Sequence, residues 1–153
     1  MVAVRKIKPV GGIESVAVVP AGTAVGGSPS EIAAHAAELP LVEDASFYEE
    51  RTEWLDGIPR TEHRLSVTLP RDEAQRIFTA RAVEWWATAG TAAIVRTASG
   101  ERLTVGWSER FGGEQPLRLV SLVSTTARSP REVPTATALF RSFDTSGAIS
   151  NYQ

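Results

Sequence analysis

His35 and His63 are the only histidines in this chain, so any histidine base or ligand must be one of them. A catalytic histidine needs a nucleophile or an acid beside it, and His35 lies in an alanine-rich segment without such a neighbour. His63 shares one strand face with Leu65, Val67 and Leu69, so we expect it to be packed among apolar side chains. With no cysteine in the chain, two histidines are too few ligands for a structural zinc site.

Carboxylate chemistry has more candidates, because acidic residues cluster at 43–44, 49–53 and 72–73. A glycosidase-like reaction needs two carboxyl groups about 5–10 Å apart, and such partners meet only in the fold. We therefore keep a carboxylate-based hydrolase as the third functional hypothesis. We interpret the 49–53 cluster as a charged strand that faces solvent or a partner. The segment 144–147 resembles an aspartic-protease triplet, but an Asx turn at the end of a strand accounts for it.

A phosphate-binding loop would need a glycine-rich turn between a strand and a helix, followed by a lysine. The most strongly predicted helix begins at Pro70 without such a turn, and the pairs Gly11-Gly12 and Gly26-Gly27 lack the lysine. The absence of cysteine also removes disulfides, thiolate metal sites and cysteine nucleophiles. We therefore expect no cofactor, no metal and no enzymatic activity.

The charge balance disfavours two further classes of partner. Lys and Arg number 16 against 18 Asp and Glu, and the arginines alternate with acids, so no basic stripe is present to read a nucleic-acid sequence. No segment approaches the roughly 20 apolar residues that span a membrane, and the N-terminus lacks the apolar run of a signal peptide. We therefore expect a protein that is made and used without secretion, in the cytoplasm.

The clearest element in the sequence is an amphipathic helix over about residues 70–89. Proline at its start and acids in its first turn suit a helix N-terminus, and Gly90 suits its end. Apolar residues recur at helical spacing and include Trp85 and Trp86. We therefore expect both tryptophans to lie in the core.

Alternating or β-branched segments on both sides of this helix predict strands joined by hairpins and short loops. The predicted strands cover residues 2–8, 13–19, 47–55, 60–69, 91–97, 102–108, 117–124 and 135–143. Because strands do not alternate with helices, a doubly wound parallel sheet is disfavoured. The sequence predicts one domain, 1–153, of the α+β, mainly β class. It would be an antiparallel β-sandwich or partly open barrel with one flanking amphipathic helix and a flexible Gly- and Ala-rich loop at about 21–40.

A hairpin at about 47–69 is predicted to turn at Asp56-Gly57, a pair that tolerates positive φ. Its first strand carries charges on both faces, which suits a protruding arm or a charge-protected edge better than a core centre. An aromatic residue exposed on such an arm is typical of an interface. The interface residues predicted on this hairpin are Tyr48, Glu50, Arg51, Glu53, Trp54 and Arg60.

Three segments of the second half carry a resemblance to a known class of proteins. They read AIVRTASGERLTVGWS at 93–108, EQPLRLVS at 114–121 and ATALFRSFDT at 136–145. With the charged hairpin that precedes the helix, they resemble small structural proteins of tailed phages and prophages, in the tail-tube or tail-completion class. The resemblance implies a non-enzymatic subunit that assembles as a ring or tube. Its partners would be further copies of itself and other tail proteins. It would be cytoplasmic when made in a bacterial host and would then reside in the virion.

A ligand-binding or adaptor domain of the β-sandwich type is the alternative hypothesis. It would need a concave pocket, for which Trp85, Trp107 and Phe111 are the candidate lining residues. The presence of such a pocket would distinguish the ligand-binding hypothesis from the structural-subunit hypothesis, because a structural subunit needs only contact surfaces.

Overall fold

The computed structural model describes residues 4–9, 12–20, 37–43, 45–108, 113–114, 116–127 and 129–144. His35, Phe111 and the predicted loop as far as residue 36 lie outside these ranges. In chain order the elements are β1 (Val4–Pro9), β2 (Ile13–Pro20), β3 (Ala37–Glu38), β4 (Phe47–Leu55), β5 (Ile58–Pro70), α1 (Arg71–Ile77), α2 (Ala80–Thr88), β6 (Thr91–Thr97), β7 (Arg102–Val105), β8 (Trp107–Ser108), β9 (Gly113–Glu114), β10 (Arg118–Ser124) and β11 (Thr135–Asp144).

Two antiparallel sheets dominate the part of the chain that the structure describes. The first has the strand order β1-β4-β5-β11-β10, and the second has the order β3-β2-β6-β7. A short pair, β8 with β9, stands beside them. The prediction of an α+β, mainly β fold with antiparallel sheets is confirmed.

One apolar core joins the two sheets. Strand β5 alternates as predicted, with Leu65, Val67 and Leu69 fully buried. Other members of the same buried cluster come from both sheets and include Val16, Val18, Ala93, Val95, Leu103, Val105, Ala136, Ala138 and Phe140. Because one cluster is built from the facing sides of two sheets, the arrangement is that of a sandwich.

The structure divides the predicted single helix into α1 and α2. The chain leaves the helical path at Phe78, and Thr79 is extended, with φ −67° and ψ 161°. The hydroxyl of Thr79 then accepts a hydrogen bond from the backbone N–H of Ala82, which makes Thr79 the N-cap of α2. The break turns Phe78 into the core, where its ring lies 5.1 Å from that of Trp86.

The chain passes from one sheet to the other at Leu117. Leu117 pairs with Thr91 of the second sheet through two backbone hydrogen bonds of 2.8 Å. The next residue, Arg118, is already paired with Arg141 in the first sheet. Gly90 lies against this crossover at φ +86°, and a Cβ there would stand only 2.6 Å from the carbonyl oxygen of Leu117.

Candidate functional site

The predicted interface hairpin is built into the first sheet and is not a free arm. Strand β4 pairs with β5 on one side and with β1 on the other, as far as Trp54. Strand β5 pairs in turn with β11, as far as Thr61. Among the described residues, the turn, Leu55 and residues 58–60 of β5 extend beyond these neighbours. Charges on both faces of β4 therefore do not mark an edge, because cross-strand partners accommodate them.

An inward-facing polar cluster lies at the centre of this hairpin. The hydroxyl of Tyr48 donates to Oε1 of Glu50 at 2.9 Å and lies 2.8 Å from Nδ1 of His63. Since the phenol has one proton and gives it to Glu50, its oxygen accepts from Nδ1–H of His63. The Tyr48 and His63 rings are nearly parallel, with 6.3 Å between their centroids. The arrangement is a chain of two hydrogen bonds running from imidazole through phenol to carboxylate.

The three side chains of this cluster are almost completely buried. Tyr48 is 3% exposed, Glu50 6% and His63 1%. The prediction of a packed histidine at His63 is confirmed. Tyr48 and Glu50 were predicted to contact a partner, but their side chains face the interior. General acid–base chemistry needs a substrate within hydrogen-bonding reach, and none of the clefts described below is lined by these residues. The hydrogen bond between Tyr48 and His63 joins β4 to β5.

Ser142 stands next to this cluster, directly opposite His63 in the pairing of β11 with β5. A serine, a histidine and a glutamate thus occupy one cross-strand row, which are the residue types of a nucleophilic triad. In a triad the imidazole bonds both the acid and the hydroxyl. Here Nδ1 of His63 is held by Tyr48, and Oγ of Ser142 makes no hydrogen bond. The hydrogen bonding of a triad is therefore not assembled.

The other face of the hairpin carries a lattice of ion pairs. Arg51 lies 3.2 Å from Glu49, and Arg64 lies 3.2 Å from Glu62. Both pairs are partly exposed, so each contributes about 1 kcal/mol or less to stability. Arg51 was one of the predicted interface residues, and its guanidinium is paired within the chain.

The remaining predicted interface residues surround the hairpin tip. Glu53 and Trp54 are half-buried, and Arg60 is exposed with its guanidinium 4.1 Å from the ring centre of Phe143. An interface role for these three side chains stays a prediction. The turn itself is confirmed, since Asp56 and Gly57 both have positive φ, at 54° and 77°. This is the geometry that a two-residue hairpin turn requires.

An exposed apolar strand lies at the opposite end of the same sheet. Strand β10 pairs with β11 on one side only, among the described residues. Between Leu119 and Ser124 it carries no charge, and Val120, Leu122 and Val123 are 47%, 39% and 55% exposed. Sequence analysis identified the strand but not its edge position, because strand order depends on distant pairings.

A broad depression continues from the C-terminal end of β10. It has a volume of about 960 Å³. Its lining includes Val42, Pro70, Ser124, Thr125, Val133 and Thr135. Val133 is 64% exposed there, and Ser124 belongs both to β10 and to the lining, so the depression adjoins the edge strand. Edge strand and depression together form a continuous surface, which we call the β10 face.

The two tryptophans of α2 lie in different environments. Trp86 packs on the core, with its ring 6.0 Å from that of Phe140. The expectation of a core position is wrong for Trp85, which is 51% exposed and lies along a groove on the outer side of α2. Phe111 and the side chain of Trp107 lie outside the described part of the chain. Of the three residues predicted to line the pocket of the alternative hypothesis, Trp85 is therefore the one whose side chain the structure describes.

The described part of the chain carries neither a metal-binding cluster nor a membrane-spanning helix. No three His, Asp or Glu side chains of that part come together as a metal site would require. Within the same ranges, no helix has the length and apolar character needed to cross a membrane.

Comparison of the chain with protein-family models, with curated proteins and with solved structures gives no match. The function must therefore be argued from the surfaces and contacts of this chain.

The inward cluster of Tyr48, Glu50 and His63 was missed by sequence reasoning, although a signal for it exists. With Asp56 and Gly57 fixed as a two-residue turn, counting back along both strands places Glu50 opposite His63. The observed pairing is that one.

Proposed function

We propose that this protein is a non-enzymatic structural subunit that assembles with further copies of itself through the β10 face. The observation that supports the proposal is the exposed, uncharged edge strand β10. A strand at a sheet edge presents unpaired backbone N–H and C=O groups, which another strand can pair. Side chains such as Leu122 and Val123 would then be buried by the same contact.

The two edges of the first sheet differ in a way that favours β10. Among the described residues, strand β1 forms the other edge, and its sequence contains Arg5, Lys6 and Lys8 and ends at Pro9. Charge and proline are the usual means by which proteins protect an edge against pairing. Strand β10 has a bulge near Val120 but no such charge beyond Arg118, so pairing is unopposed from Ser121 onward.

The finer part of the proposal is a ring or tube of the phage or prophage tail class. It rests on the sequence resemblance of segments 93–108, 114–121 and 136–145. A ring requires that β10 contact a different surface of the next copy, whereas pairing of β10 with itself closes a two-fold dimer. A stable contact of either kind buries about 1,200–2,000 Å² in total, more than one short edge strand offers. We therefore include the depression beside Val133 in the contact.

The mass of the protein in solution, measured by light scattering over a range of concentrations, tests this proposal. We expect assemblies larger than the monomer, and we expect Val123→Lys to lower their mass to that of the monomer. The matched control is Ile58→Lys at the hairpin tip, which is 65% exposed and lies at the other end of the sheet. A wild-type protein that is monomeric at every concentration would refute assembly. If Ile58→Lys dissociates the assembly and Val123→Lys does not, the contact lies on the hairpin and not on the β10 face. A strict dimer would contradict the ring or tube.

A further inference from the structure

We propose that a cleft at the crossover between the sheets binds an organic oxyanion, meaning a carboxylate or phosphate group attached to a small apolar body. This site goes beyond the assembly proposed above. The cleft has a volume of about 360 Å³, within the range of small-molecule sites. Its polar lining is Arg118, Arg141 and Ser142, and its apolar lining includes Ala87, Pro116 and Phe143.

The crossover creates the opening. Leu117 is bonded to Thr91 in the second sheet, and pairing with β11 begins only at Arg118 opposite Arg141. Residues of β11 beyond Arg141 therefore have no described strand on that side. The C-terminal turn of α2 lies over the gap, since Ala87 lines the cleft and the carbonyl of Thr88 accepts a hydrogen bond from Nε of Arg118 at 3.1 Å.

The charges at this opening are unbalanced. Arg64, Arg141 and Arg118 occupy one cross-strand row on three neighbouring strands. Like charges directly opposite each other destabilise a sheet. Glu62 lies 3.2 Å from Arg64 and 4.0 Å from Arg141. Glu49 lies 4.0 Å from Arg64 and 3.2 Å from Arg51, so two carboxylates serve three guanidinium groups and neither is paired with Arg118. An anion in the cleft would restore the balance.

Arg118 is the arginine of this row that Glu62 does not reach. Its described contact is the neutral carbonyl of Thr88, so its terminal nitrogens remain available. A guanidinium offers two parallel donors to a carboxylate or a phosphate, which is the strongest geometry for either group.

Ser142 supplies a second, independent indication of a ligand. The residue is 6% exposed and lines the cleft, yet its Oγ has no hydrogen-bond partner. Buried hydroxyl groups are nearly always bonded, because leaving one unsatisfied costs about 1–3 kcal/mol. An oxyanion oxygen at the open edge of β11 would accept a hydrogen bond from this hydroxyl.

Arginine pairing alone does not carry this assignment. Arg96 and Arg102 also lie directly opposite each other, on β6 and β7. Both side chains are exposed, and neither lines the cleft. The crossover site differs from that pair by its concave apolar wall and by the buried hydroxyl of Ser142. The Arg96–Arg102 pair therefore provides the matched control.

The proposal is tested by calorimetric titration of the full chain at low ionic strength with phenyl phosphate, benzoate and inorganic phosphate. We expect saturable binding of phenyl phosphate or benzoate with a dissociation constant of about 1 mM or lower. The tighter of the two identifies the oxyanion. Inorganic phosphate should bind more weakly, since it lacks the apolar body. Equal affinity for inorganic phosphate would overturn the apolar part of the assignment.

Variants locate the binding. Arg118→Gln should weaken it about tenfold, the effect of losing a charged hydrogen bond. Arg102→Gln should leave it unchanged. Ser142→Ala should weaken binding while the unliganded protein unfolds at the same or a higher temperature, because an unsatisfied hydroxyl is removed. Three results would each overturn the site. They are the absence of saturable binding up to about 10 mM ligand, about tenfold above the expected dissociation constant, equal effects of Arg118→Gln and Arg102→Gln, and a lower unfolding temperature for unliganded Ser142→Ala.

Discussion

Replacing Gly90 by alanine tests how tightly the crossover is packed. The matched control is Gly100→Ala, because Gly100 has nearly the same backbone angle, φ +87° against +86°, and open space around its Cβ position. Both variants incur the cost of a left-handed alanine, about 1–2 kcal/mol. Their difference in unfolding free energy therefore isolates the packing at Gly90.

The size of that difference follows from the contacts. A Cβ at Gly90 would stand 2.6 Å from the carbonyl oxygen of Leu117 and 2.9 Å from Cβ of Pro116. The same oxygen accepts the 2.8 Å hydrogen bond from Thr91, so it cannot retreat without weakening that bond. Overpacking costs about 1–3 kcal/mol and a lost backbone hydrogen bond about 1 kcal/mol. We expect Gly90→Ala to be about 2–4 kcal/mol less stable than Gly100→Ala.

Urea unfolding followed by tryptophan fluorescence measures this difference, provided that both variants keep the same slope with denaturant. In a thermal scan the extra loss corresponds to a melting temperature lower by about 4–16 °C for a chain of this size. If the two variants unfold at the same urea concentration, the crossover is not rigidly held, and the cleft beside Arg118 loses its fixed wall.

Two further substitutions test the interior. Tyr48→Phe should lower the unfolding free energy by about 2–4 kcal/mol, because Glu50 and His63 both lose a buried hydrogen bond; unchanged stability in urea would show that the hydroxyl does not bridge them. Trp86→Ala should cost about 2–4 kcal/mol through lost core contacts, whereas the exposed Trp85→Ala should cost less than about 1 kcal/mol. The reverse order in urea unfolding would contradict the packing of α2.

Local patterns in the sequence predicted the elements well, since apolar alternation and turn residues act over a few positions. The alternation of Leu65, Val67 and Leu69 identified the buried face of β5, and Asp56-Gly57 identified the turn. These signals are complete within one strand or one hairpin. No distant contact was needed to interpret them.

The helix break, the exposed tryptophan and the cleft could not be predicted from such local patterns. They depend on competing hydrogen bonds or on contacts between segments that are distant in the sequence. Thr79 ends one helix and caps another because its hydroxyl competes for a backbone N–H, which the apolar stripe does not reveal. Trp85 and Trp86 are about 100° apart on a helix, so both could not face the core equally. The cleft at Arg118 depends on a crossover whose two sides are far apart in sequence.

The ion-pair lattice on the hairpin also constrains how the chain finds its fold. In the native alignment Glu49 faces Arg64, and Arg51 faces Glu62. Sliding β5 by two residues keeps every side chain on its own face, but in one direction it brings Glu49 opposite Glu62 and in the other Arg51 opposite Arg64. Each such encounter of like charges costs about 0.2–1 kcal/mol. The alternating signs therefore destabilise hairpins whose strands are shifted by two residues. Hydrophobic burial alone would not distinguish these shifted registers from the native one.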